Sequence, residues 1–208
     1  MFSHTIVFGS LAVLTSLTTG LRHTLPNCIP VWRFDLVLKL IPVPLSPTSF
    51  MEFGSVLDRN LTKKIAINQS TTTRFHKMAS VNAFPSDAEI ILSIFSGTNR
   101  GYPFEINMME RHPLGTQAFF PLSEEPWLVV VAPDAGDKPD EKRLQCFLAA
   151  GDQGVQYNCN VWHHPLLILA NKQDFFIVDC DTNSNNLNEY FFDKPIAQID
   201  VDPNYLAN

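Results

Sequence analysis

Apolar residues along this chain fall in short runs, several of them alternating with polar ones, separated by clusters of Gly, Pro, Asn and Asp. Residues 65–68, 90–95, 104–109, 117–120, 127–132, 144–149, 155–157, 166–169 and 175–178 each read as a β-strand, because β-branched and aromatic side chains dominate them. The segments 97–101, 134–139, 151–154 and 181–188 carry the turn residues between strands. Residues 183–188 are largely polar and are expected to be mobile. One short helix is expected, capped by Ser46 or Thr48, running through Phe53 and ended by Gly54. Many short strands with closely spaced turns predict an all-β sandwich or barrel.

Length and composition narrow this picture. A chain of 208 residues supports one domain with a full core. The domain is expected over residues 37–208, with residues 1–36 as an extension. That extension contains an uncharged stretch from Thr5 to Leu21 and no acidic residue before Asp35, so it reads as a targeting segment or as sequence outside the fold. The location is expected to be cytoplasmic, with an organellar or secretory destination through residues 1–36 as the alternative. A net charge of −6 and the lack of any Lys/Arg cluster argue against nucleic-acid binding, and no stable membrane association is expected. Cys28, Cys146, Cys159 and Cys180 form no Cys-x-x-Cys pair, so they read as reduced thiols packed as small apolar groups.

Two segments carry candidate chemistry. In ERHPLGTQAFFP (110–121), Glu110 and His112 are two apart and leave the same face of a strand. Pro113 and Gly115 interrupt the strand, and Gln117 opens the next one. This has the spacing of the first cupin motif. The second segment, 151–165, resembles the second cupin motif, a Gly-containing hairpin ending on a His, here His163. Asn160 occupies the usual glycine position, and Asn tolerates the left-handed backbone needed there. Glu110, His112, Gln117 and His163 are thereby expected at one end of a cupin-type double-stranded β-helix, or jelly-roll barrel, with a few short helices. They are candidate ligands of a divalent metal such as nickel, zinc or manganese. The alternative is that His112 and His163 are hydrogen-bonded barrel histidines. Trp162 reads as a packing or interface residue, His164 as pointing away from His163, and Arg111 and Glu105 as outward-facing strand charges.

The strings ERHPLGTQAFFP, GDKPD (136–140), GDQGVQYN (151–158) and VWHHPL (161–166) resemble the ureidoglycolate lyase family, and PLSPTSFMEFGSVLD (44–58) and INQSTTTRFH (67–76) fit its pattern in order. The resemblance covers about residues 38–178. It implies a cupin-type homodimer acting in allantoin and purine breakdown, with a small-molecule substrate cleaved to glyoxylate and urea. It further implies His112, Glu110, His163 and His76 as catalytic groups. Arg74 would clamp the substrate carboxylate, with Gln117, Lys138 and Asn68 as further substrate contacts. The chain departs from the family pattern at Gln145 and Ser96, where the family commonly has Arg, and at Ser70, where it has Gly. Arg143 and Arg100 are nearby cations that would compensate. These departures leave a second reading open, a cupin-like binding protein with impaired catalysis. A third, a germin-like metal oxidase, lacks the full three-His, one-Glu ligand set.

Overall fold

The computed structural model describes residues 37–205. The expectations for residues 1–36, Cys28 included, lie outside the described residues. The described residues group into one compact unit. Its strands are β1 (Leu38–Leu40), β2 (Val43–Pro44), β3 (Gly54–Asp58), β4 (Lys64–Ile67), β5 (Thr72–Phe75), β6 (Glu89–Thr98), β7 (Phe104–Ile106), β8 (Met108–Arg111) and β9 (Gln117–Pro121). They continue as β10 (Trp127–Ala132), β11 (Gln145–Ala149), β12 (Gln153–Tyr157), β13 (Trp162–His163), β14 (Leu167–Ile168), β15 (Lys172–Asp181), β16 (Asn188–Phe191) and β17 (Ala197–Ile199). The α-helix, α1 (Pro47–Phe50), is shorter than expected. The Ser49 amide donates to Ser46 Oγ at its start, and Phe50 is its buried residue. The fold is all-β and cupin-like.

Two sheets make the barrel. One has the order β16-β8-β13-β10-β11-β2, with β14 also paired to β10. The other has the order β3-β12-β9-β15-β6. Strand β10 is buried throughout, and its alternation explains why. Trp127, Val129 and Val131 pack with Phe119, Val155, Phe175 and Ile177 of the second sheet. Leu128, Val130 and Ala132 pack on the opposite side with Phe104, Ile106, Ala197 and Ile199. Those last residues belong to a small third sheet, β1-β17-β7. Strands β4 and β5 form a separate two-stranded hairpin.

Two expectations change here. The run 104–109 is two strands, because at Asn107 the chain passes from the small sheet into the barrel. The stretch 151–163 is not a hairpin either: β12 and β13 belong to different sheets, and residues 158–161 carry the chain across. The first motif makes the same crossing between β8 and β9. The two crossings are joined where the Asn160 amide donates to the His112 carbonyl at 2.8 Å, and Asn160 takes the expected left-handed backbone, φ 66°.

Candidate active site

Both crossings deliver polar side chains to one place. Glu110 and His163 are direct partners in the β8–β13 pairing, and His112 follows one residue beyond β8. One ligand atom from each of Glu110, His112 and His163 lies within 4.8 Å of the other two. The two imidazole centroids are 5.5 Å apart. His163 Nε2 is 3.6 Å from Glu110 Oε1.

The imidazoles are oriented by their other nitrogens. His112 Nδ1 donates to the Asn186 carbonyl at 2.8 Å, and His163 Nδ1 donates to the Val161 carbonyl at 2.9 Å. A carbonyl only accepts, so each neutral ring keeps its lone pair on Nε2. Both Nε2 atoms are buried without a hydrogen-bond partner. A buried acceptor left unpaired is costly, and a pair of them facing a carboxylate fits a divalent cation. Tyr157 stacks on His163 with centroids 4.1 Å apart and fixes its plane.

Burial governs the charges. Desolvation lifts the Glu110 carboxyl to about 7, aided by the negative charges of Glu189 and Asp179 and opposed by Arg100. Desolvation holds His163 down at about 3, with His112 reinforcing it. The short His163–Glu110 approach is therefore not a charged pair near neutrality in the metal-free protein. Burial also raises the Tyr157 phenol well above its ordinary value.

Gln117, at the start of β9, donates its Nε2 to Asp179 Oδ2 at 3.0 Å. Its Oε1 is a third buried acceptor without a partner. Glu110 opens onto a cleft of about 620 Å³ bounded on one side by β6 and on the other by Phe119, Pro165 and Leu166.

The remaining expected residues stand elsewhere. Arg74 is exposed on β5, and Asn68 lies in the turn before it, bonded to Thr72. His76 follows β5 and is half-buried, with an unpartnered Nδ1. Lys138 is exposed in the turn 134–139. Among the described residues no hydrogen bond, ion pair or ring contact joins these four to the cluster. Arg111 is not an outward charge. It is 6% exposed, stacks on Trp162 at 4.3 Å and binds Asp134 and Asp137. Trp162 is a packing residue, as expected. His164 is buried with its Nδ1 on the Pro165 carbonyl and stands outside the ligand cluster.

Asn186, Tyr157 and Asp179 were not singled out from the sequence. Asn186 lies in the stretch expected to be mobile, yet its carbonyl orients His112. Its side chain accepts from the Leu114 amide and donates to the Cys180 carbonyl. Tyr157 sits inside the quoted string at 151–158 and was available as a signal. A lone Asn in a polar loop carries none.

The family model for ureidoglycolate lyase matches residues 37–199. A ureidoglycolate lyase of Brucella anthropi is 47% identical over 162 residues, 78% of this chain and 95% of that protein. One of Agrobacterium fabrum is 49% identical over 152 residues, 73% of this chain and 90% of that protein. One of Rhizobium etli strain CIAT 652 is 47% identical over 154 residues, 74% of this chain and 92% of that protein. With its cupin-like barrel and a match over most of its length, this chain belongs to the ureidoglycolate lyase family.

Proposed function

We propose that this protein is a ureidoglycolate lyase, releasing glyoxylate and urea at the Glu110–His112–His163 cluster. The observation that carries the site assignment is the pair of buried, unpartnered Nε2 atoms beside the Glu110 carboxylate. His112 Nε2, His163 Nε2 and a Glu110 oxygen would hold a divalent metal. Such an ion supplies Lewis acidity towards the substrate oxygen that becomes the carbonyl.

The reaction requires little else. Ureidoglycolate carries a hydroxyl and a ureido nitrogen on one carbon. A base removes the hydroxyl proton, the O–H electron pair forms the C=O bond, and the C–N bond breaks towards nitrogen. The departing urea nitrogen then takes up a proton, so no water is consumed. In this reading the Glu110 carboxylate receives the proton and returns it to the nitrogen. One carboxylate oxygen would hold the metal while the other carries the proton. Gln117, held at its amide nitrogen by Asp179, keeps Oε1 free to accept a ureido N–H. Asn68, Arg74, His76 and Lys138 carry no step.

We take residues 37–208 as the catalytic domain and the enzyme as a cytoplasmic homodimer. No helix of the described residues is long and apolar enough to cross a membrane. Strand β6 is a ten-residue sheet edge with Ile90, Leu92 and Ile94 exposed, the kind of edge that pairs with a second chain. The site reading is tested by His112→Ala and His163→Ala. Each is expected to lose at least about a hundredfold in turnover together with bound metal. Full activity in His112→Ala contradicts it.

A further inference from the structure

Ureidoglycolate is an anion, and the cleft beside the cluster holds one cation. Among the described residues that line it, Glu110 is the one acid and Arg100 the one base. Arg100 lies just beyond β6, on a backbone fixed from both sides. Asn99 donates its Nδ2 to the Leu169 carbonyl at 2.9 Å, and its Oδ1 accepts from the Gly101 amide at 2.7 Å. The guanidinium itself is exposed and makes no hydrogen bond or ion pair among the described residues. It lines the same cleft as Glu110.

Ser96 also lines this cleft, and its hydroxyl donates to Asp174. It brings no positive charge. Arg143 is engaged elsewhere, with Glu52 at 3.3 Å.

We propose that Arg100 binds the substrate carboxylate, as the one cation lining the cleft that Glu110 borders. The inference rests on the lyase reading of the site. A planar guanidinium matches a carboxylate through two parallel hydrogen bonds. A carboxylate bound there would share one cleft with Glu110.

The test compares wild type, Arg100→Ala, Arg100→Lys and Arg74→Ala, with steady-state kinetics on ureidoglycolate and calorimetric binding of glyoxylate. Arg100→Ala should raise KM about 10- to 100-fold with kcat changed by no more than a few-fold and metal content unchanged. Glyoxylate binding should weaken by a similar factor, and Arg100→Lys should recover part of both losses. Arg74→Ala should stay within about twofold of wild type. Wild-type KM and glyoxylate affinity in Arg100→Ala would overturn the inference, as would the same losses appearing in Arg74→Ala instead. A wild-type protein that binds glyoxylate but turns over no ureidoglycolate defeats the lyase reading alone, and the binding comparison still decides the role of Arg100.

Discussion

At the scale of single residues, Glu110 is the group whose behaviour separates the possible chemistries. In the metal-free protein its carboxyl sits at about 7, raised first by burial. It must lose its proton to ligate a cation. Below about pH 7 protons therefore compete with the metal, and above it they do not. His163, depressed to about 3, adds nothing to this competition near neutrality. The affinity for a divalent metal should rise about tenfold between roughly pH 6 and pH 8 in wild type. Glu110→Gln should bind more weakly and lose that part of the slope. Calorimetric titrations at the two pH values check this, and an unchanged slope in the variant removes Glu110 from the ligand set. The clustering of these residues was legible because a strand's period of two sets Glu110 and His112 together and two half-motifs converge on His163. Asn186 was not legible, because its role depends on where a loop 74 residues away from His112 comes to rest.

Elements show the same division. Strand β10 was readable to the residue, since a continuous apolar run flanked by turn signals is buried on both faces whatever its partners. Short strands such as β13, β16 and β17 were not, because their pairing depends on distant partners rather than on local pattern. The crossing at 158–161 looked like a hairpin because Gly151 and Gly154 supply turn chemistry, and only the sheet assignment reveals otherwise. Gly154 has a different task. A Cβ there would meet the Phe119 carbonyl oxygen and lie 2.8 Å from Phe120 Cδ2, between β12 and β9. Gly154→Val should destabilise the fold by about 2–4 kcal/mol, through overpacking against a backbone that carries the barrel. Urea unfolding followed by tryptophan fluorescence measures it, and a loss under about 0.5 kcal/mol would show that the sheet yields at this point.

At the scale of the whole molecule, the exposed face of β6 is the feature a lone barrel does not explain. Ile90 and Leu92 are 46% and 66% exposed on a sheet edge, whereas Ile94 also borders the cleft. Replacing Ile90 and Leu92 together with Lys should convert the proposed homodimer to monomer in sedimentation velocity while sparing the Glu110–His112–His163 cluster. A dimer that survives this change assembles through another surface. Whole-molecule function was legible only through the family pattern, because acidic net charge and an all-β core are shared by many unrelated proteins.

The central claim is the reaction itself. Purified protein loaded with divalent metal should convert ureidoglycolate to glyoxylate and urea in equal amounts with no ammonia, measured together in one time course. Ammonia in place of urea, or no turnover at all, contradicts the account.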